Sequence, residues 1–590
     1  MKKRDGSEEN FNIEKPVNAV RKAFEACSEE FTQDIEKCIR EALASPPDSV
    51  EKIQDLMENI LMKEGYYDVA KAYILYRAKH KEARFIRERI DYMNKYSSST
   101  ENAATSSETD ANSNVSVKNV ANLEGEVYKT TNRIIQRQRM KDKLNELFPE
   151  VAKNYEEDLD HHIIYVHDEA SSPTLKYYCC AVTLYPLMLE GAGNIDNITP
   201  SAPNDISSFS GQVTNLVFLL SSQCKGAVAL GDYFIALNYY VVKEFGDKWY
   251  EKLDEVITTG ICETRRTVRD AIKKGMKQFI YGVNQPAGNR SYNSPFTNVS
   301  YYDRYYFESL FGDFSYPDGT KPEWKAIDTL QRIFMKLHRD LRLIKPLTFP
   351  VSTIALLYDK NGYKDKEYEE LCAEEWAKGG SFFCYNNDNP TSLSSCCRVL
   401  NTITDNTFSS TTGMTGVMTG SCSVITLNIN RIVQDFCREN MLINPEGKPV
   451  ESVGSLYKWK EAFREYLVNI LDRVYKYHIA YKTMLYDMEE NGMYSSSNAG
   501  YIYLKKLYST VGVIGYMEAA EFLGYQIGYN KEYISFLQTV LGTIKEENRI
   551  HSVHDKKRPF LFNSEAVPGE NLGVKFYQWD KEDGLEPMSI

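Results

Sequence analysis

The sequence is poor in the features that mark a secreted, membrane-bound or nucleic-acid-coating protein. Cysteine occurs 12 times in 590 residues, too sparsely for a disulfide scaffold. No two cysteines stand at C-x-x-C spacing, so the usual structural zinc signature is missing. There is no run of 18 apolar residues of the kind a transmembrane helix needs, and Met1-Lys2-Lys3-Arg4-Asp5-Gly6 leads into polar residues with no apolar segment behind it. The net charge is -12 and no block of clustered Lys and Arg appears, which argues against a general phosphate-neutralising surface. These absences predict a cytoplasmic protein with mostly reduced thiols, no nucleic-acid partner and no membrane anchor. Any special cysteine is then chemical, and two adjacent pairs stand out, Cys179-Cys180 and Cys396-Cys397.

What is present is the composition of a folded protein: 42% hydrophobic and 26% charged residues, with 42 tyrosines that favour a packed, polar-lined interior. The length predicts two or more domains, or one large barrel with an appendage. Residues 1–95 read as a small helical module. Val17, Val20, Phe24 and Cys27 recur at helical spacing; Asp48 with Glu51 forms a capping-box-like start, followed by the stripe Ile53, Leu56, Met57, Ile60 and Leu61. Gly65 closes that helix, and Asp68 opens another whose apolar body ends in Arg77. Residues 96–120 are rich in Ser, Thr, Asn and Ala and bury too little to offset the entropy of ordering, which predicts a flexible linker. From 121 to 590, amphipathic segments at 213–243, 321–343 and 456–488 alternate with short β-branched runs such as Val424 to Ile429, the pattern of an α/β barrel or a doubly wound sheet.

The N-terminal turn Lys3-Arg4-Asp5-Gly6, the helical hairpin and the Asp68 to Arg77 segment together resemble the ATP-cone domain of ribonucleotide reductases. The resemblance implies binding of ATP or dATP as allosteric effectors at Lys3, Arg4, Asp5 and Gly6. A basic turn with a glycine suits phosphate, because a backbone N–H can approach closely while Lys and Arg supply charge. Read alone, the same four residues are a solvated charge run.

Beyond the linker, the chain from about 121 to 584 resembles the anaerobic (class III) ribonucleoside-triphosphate reductases. One landmark is Tyr165-Val166-His167-Asp168 leading to Tyr178-Cys179-Cys180, where the family carries a substrate-facing cysteine on the first barrel strand; register against Met188-Leu189 assigns it to Cys180. Either cysteine could also be an inert buried thiol. A second is Ser395-Cys396-Cys397-Arg398, where a cysteine just before Arg at the tip of a finger loop becomes the thiyl radical that takes the ribose 3′ hydrogen. The matching residue is Cys397. Asn293 to Asn298, Thr510 to Glu521 and Phe562 to Lys575 followed by Trp579-Asp580 extend the match. Val513-Ile514-Gly515-Tyr516 imitates a glycyl-radical motif but lacks the preceding Arg, and the Glu-Ala-Ala-Glu after it reads as an internal helix.

The resemblance implies a ten-stranded α/β barrel of the ribonucleotide reductase/glycyl-radical enzyme type with a small N-terminal helical ATP-cone. It implies reduction of ribonucleoside triphosphates by radical chemistry shielded from water. The glycyl radical and its four zinc-binding cysteines are expected on a separate C-terminal polypeptide, and the radical is expected from a radical-SAM activase that holds S-adenosylmethionine and an iron–sulfur cluster. A homodimer is expected. Formate-using members carry an Asn where this chain has Gly420-Ser421-Cys422-Ser423, so Cys422 could pair with Cys180 as a thiol couple served by a redox protein, or could be packed in the core. An inactive nucleotide-binding relic is the alternative reading, and a formate-lyase-type enzyme is disfavoured by the cone.

Overall fold

The computed structural model describes residues 10–47, 49–98, 120–192, 201–258, 265–287, 293–345, 347–388, 390, 392–394, 400–402, 418–445, 447–450, 459–567 and 570–585. It divides into two compact units, Met1–Glu101 and Asn102–Ile590.

The first unit is helical: α1 (Glu14–Ala26), α2 (Gln33–Ala42), α3 (Val50–Lys63) and α4 (Tyr67–Ser98). The apolar stripes read from the sequence meet in one small core of Val17, Val20, Phe24, Ile53, Met57 and Leu61, with Cys27 and Leu56 partly buried at its rim. The start of α3 differs from the capping box expected at Asp48. The cap is Ser49, whose hydroxyl accepts the Lys52 N–H at 3.4 Å; Asp48 lies outside the described residues. Gly65, at φ +82°, turns the chain between α3 and α4 in a conformation that a side chain would strain. Helix α4 continues past residue 95 to Ser98.

The second unit opens with α5 (Val120–Leu147) and contains, in chain order, strands β1 (Ile164–Val166), β2 (Cys179–Val182), β3 (Val228–Leu230), β4 (Val256–Thr258), β5 (Arg265–Thr267), β6 (Thr297–Tyr302) and β7 (Val351–Asp359). These are followed by β8 (Gly362–Tyr363), β9 (Phe383–Asn387), β10 (Ser392–Ser394), β11 (Leu400–Thr402), β12 (Thr419–Asn428), β13 (Leu507–Ile514) and β14 (Leu561–Ala566). Ten of them form one mixed sheet, with β4–β5 and β10–β11 as separate hairpins. β2, β3, β6, β7 and β9 run parallel, as do β12, β13 and β14. The two sets meet head to tail where β12 pairs antiparallel with β2, and β1 extends that edge along β12. Helices between parallel strands are what crossover connections require.

Two of the expected long helices are present, as Trp324–Ile344 and Lys460–Glu490. The expected continuous helix at 213–243 is corrected: Ile206–Gln223 ends, β3 intervenes, and a second helix runs Tyr233–Phe245. Local amphipathicity continued through this segment, but Val228-Ala229-Leu230 pairs with both β2 and β6, and ladder bonds on two edges outweigh helical propensity. Among the described residues no helix is long and apolar enough to cross a membrane.

Candidate active site

The sheet has two faces of opposite character, because side chains alternate along a strand and register carries that alternation from strand to strand. One face holds Val182, Val228, Leu230, Val299, Tyr301, Ile354, Val511 and Phe562, all in the main apolar core. It packs on helices: Tyr301 meets Phe234 at a tilt and Phe334 edge-on, and Phe562 meets Tyr475 edge-on.

The other face is small and polar. Thr419, Ala181, Ala229 and Asn298 are register partners across four strands. Two residues further along lie Ser421 opposite Cys179, and Ser300 opposite Thr353. The hydroxyls of Ser300 and Thr353 are 3.1 Å apart, and Thr510 Oγ1 lies 2.8 Å from both Ser421 Oγ and Asn563 Oδ1. Asn298 donates Nδ2 to Val351 O at 3.0 Å, while its fully buried Oδ1 has no partner among the described residues. Polar strand residues gathered on one face, with an acceptor left unsatisfied, suit a polar ligand better than a packed core.

This register bears directly on the cysteines. Cys180 shares the helix-packed face with Val182, and its sulfur lies 3.2 Å from Cys224 Sγ. Cys179 shares the polar face with Ala181. Its sulfur receives the Ala227 N–H at 3.2 Å and packs with Ala227, Tyr178 and Phe296. Neighbouring residues on a strand point to opposite faces, so Cys179 lies on the polar face and Cys180 on the helix-packed face.

Cys422 stands at a β-bulge in β12, between Ser421 and Ser423. It lies on the helix side, buried in the main core, 3.4 Å from Ser509 Oγ. Beside it, Lys482 Nζ donates to Leu507 O at 2.6 Å; burial pulls its ammonium down to about 8, against the counter-pull of Cys422 and Glu489. His478 Nδ1 lies 2.7 Å from Ser423 Oγ, and burial holds its imidazole down at about 3. A cavity on this side is lined by Lys225, His167, Glu169, Cys422, Tyr477 and Tyr481.

The finger loop is partly described. β10 and β11 pair with Ser394 opposite Leu400; β10 lies against β7 and β11 against β14. The five residues joining the two arms, with Cys397 in the middle, lie outside the described residues, as do Lys3, Arg4, Asp5 and Gly6. Arg77 of the cone is described and is held by Glu51, Asp55 and Glu58 of α3. Among the described residues no cluster of His, Cys, Asp and Glu could hold a metal ion.

Sequence reasoning missed Cys224 and did not read which of Cys179 and Cys180 shares the face of Ala181. A signal for the second was present: in Cys179-Cys180-Ala181-Val182 the small Ala and the larger Val already alternate, as they do in Val228-Ala229-Leu230.

Solved structures share this fold. Of solved structures, the anaerobic ribonucleotide reductase of Thermotoga maritima with citrate in the active site matches with TM-score 0.64 and 25% identity, over 80% of this chain and 79% of that one. The same organism's enzyme in complex with dATP and CTP matches with TM-score 0.65 and 26% identity, over 80% and 72%. The family model described as anaerobic ribonucleoside-triphosphate reductase matches residues 119–585, and that of the ATP cone domain matches residues 1–82. This chain belongs to the anaerobic ribonucleoside-triphosphate reductase family. Among curated proteins, the ribonucleoside-diphosphate reductase subunit alpha of Chlamydia pneumoniae is 35% identical over 96 residues, which is 14% of this chain and only 9% of that protein's length.

Proposed function

We propose that this chain reduces ribonucleoside triphosphates to deoxyribonucleoside triphosphates, with Cys397 as the sulfur that takes the ribose 3′ hydrogen. The observation that carries the reading is the placement of the finger hairpin: its two arms lie against β7 and β14, and Cys397 is the middle residue between them. Sulfur suits this position because a thiyl radical abstracts a ribose C–H hydrogen and returns it after the 2′-hydroxyl has left as water. Per turnover the ribose gains two electrons and two protons and releases one water.

The proton for the departing hydroxyl, or the reducing equivalents, comes in this reading from the β2 sulfur on the polar face. The resemblance gave that role to Cys180; the register supports Cys179. Cys180 and Cys422 both lie on the helix-packed side, which disfavours them as a couple working directly on the ribose. Asn298, with its unsatisfied Oδ1, is available to the substrate from the same face as Cys179.

In this reading the glycyl radical and its zinc site are brought by a separate polypeptide. A radical-SAM activase, carrying S-adenosylmethionine and an iron–sulfur cluster, installs that radical. The working unit is a homodimer in the cytoplasm, and its cone takes ATP or dATP through Lys3, Arg4, Asp5 and Gly6.

The test is anaerobic reconstitution of the full chain with the glycyl-radical polypeptide and activase, followed by chromatography of the deoxynucleotide product. Cys397→Ser is expected to remove turnover entirely, and retained turnover in that variant ends the proposal. Cys179→Ala is expected to lose at least a hundredfold while Cys180→Ala keeps most of the rate. The opposite order would return the role to Cys180.

A further inference from the structure

Cys180 and Cys224 stand closer than apolar packing demands, and the reaction proposed above makes no use of the contact. Their sulfurs are 3.2 Å apart, and both residues are buried, 1% and 4% exposed. They sit on neighbouring parallel segments already locked in register: Tyr177 bridges to Cys224, and Cys180 pairs with Val228. Backbone bonds hold the junction on both sides, from Lys225 N to Tyr177 O and Gly226 N to Tyr178 O, each 2.7 Å, and from Cys180 N to Ala227 O at 2.9 Å. Closing to the covalent sulfur–sulfur length of about 2.05 Å needs an approach of roughly 1.2 Å.

We propose that Cys180 and Cys224 are a reversible oxidation site, forming an intramolecular disulfide when hydrogen peroxide reaches them. The atoms balance simply. Cys224, the more exposed of the two, attacks peroxide as the thiolate, breaking the O–O bond to give the sulfenic acid and, with the thiol proton, one water. Cys180 sulfur attacks that sulfenic sulfur, the S–O bond breaks, and the hydroxyl leaves with the Cys180 proton as a second water. Two thiols are oxidised by two electrons and one peroxide is reduced to two waters.

The site has a consequence one residue away. The segment from Cys224 to Ala227 also cradles the polar-face sulfur: the Ala227 N–H donates to Cys179 Sγ, and a Cβ at Gly226 would lie 2.6 Å from that atom. Tying Cys224 to Cys180 fixes the segment that positions Cys179. The oxidation site itself stands on the thiol contact alone and not on the proposed reaction.

The experiment uses the full chain without partners. Protein reduced under anaerobic conditions is exposed to graded hydrogen peroxide, denatured with alkylating agent, and mapped by tandem mass spectrometry with fragmentation between residues 179 and 180. Titratable thiols are expected to fall by two from the twelve in the chain, with a linked peptide pair containing residues 180 and 224 that dithiothreitol releases. A link that maps to Cys179 instead overturns the proposal, as does full alkylation of both sulfurs, or their conversion to sulfinic acids with no linked pair. The same mapping on Cys224→Ser should leave Cys180 unlinked.

Discussion

The helical unit at the N-terminus and the sheet unit that follows handle charge in opposite ways. In the first, arginines pair at the surface: Arg40 with Glu14 and Glu36, and Arg77 with Glu51, Asp55 and Glu58, around a core that is wholly apolar. In the second, Arg431 and Asp580 are buried at 2.8 Å; Asn428 and Asn430 donate to Asp580, and Arg431 also reaches His161 O and, at 2.6 Å, the half-exposed Asp583. His478 and Lys482 are fully buried too. A small unit has little interior in which to compensate a desolvated ion, whereas a large one can surround it with partners. The buried pair also joins residues 149 apart in sequence, fastening the helix Glu570–Glu582 to the helix Ile429–Glu439. Charge in the sheet unit specifies which distant segments meet; in the helical unit it decorates a fold that apolar stripes already determine.

The strongest way to break this contrast is Asp580→Ala. Removing the carboxylate leaves Arg431 with the half-exposed Asp583 and His161 O and takes an acceptor from Asn430, so the cost falls below the roughly 3–5 kcal/mol of a buried charge left with no partner. Burial already pushes the Asp580 carboxyl above its ordinary value, against the pull of Arg431, so desolvation is the larger force on it. Thermal unfolding of the full chain should show a clear loss, partly restored when Arg431→Met is added. If Asp580→Ala unfolded at the wild-type temperature, the pair would not hold the two helices together.

Much of this architecture is legible in the sequence, and the failures have physical causes. The helical unit could be read because each helix turns one apolar stripe inward: Val17, Val20 and Phe24, then Ile53, Met57 and Leu61, are the residues the core contains. The strand at Val424 and the helix after Gly515 were likewise readable. The break at 223–233 was not, because a three-residue strand is held by neighbours from β2 and β6 that no local window contains. The finger cysteine could be named only through family resemblance, since a Cys-Cys-Arg triplet has no period and no partner nearby. The pair Cys180–Cys224 is a tertiary contact across 44 residues. The choice between Cys179 and Cys180 was open to a period-two argument, which the resemblance alone did not supply.

A second test sharpens the contrast through pH. Buried His478 is held down at about 3, whereas in the unfolded chain it titrates near 6.5. Below 6.5 the unfolded state binds a proton that the folded state refuses, so stability falls as pH drops from 6.5 toward 3. The loss is about 1.4 kcal/mol for each pH unit, or about 2 kcal/mol between 6.5 and 5. His478→Gln keeps a polar partner for Ser423 Oγ and lacks the titration, so denaturant midpoints of the two proteins should converge as pH falls. Parallel losses in both would remove His478 from the account.

The smallest effect belongs to the helical unit. Arg77 contacts three carboxylates, but Glu51 and Asp55 keep about half or more of their side chains exposed, and such pairs contribute about 1 kcal/mol or less. Arg77→Ala should therefore lower the unit's stability by no more than that, and the difference should shrink as salt rises toward 1 M, where the screening length is about 3 Å. The same salt series should leave the Asp580→Ala deficit nearly unchanged, because no counterion reaches a pair that is 4% and 0% exposed. A salt-insensitive loss at Arg77 would mean that Glu58, the most shielded of the three partners, carries the contact, and the helical unit would then bury charge as the sheet unit does.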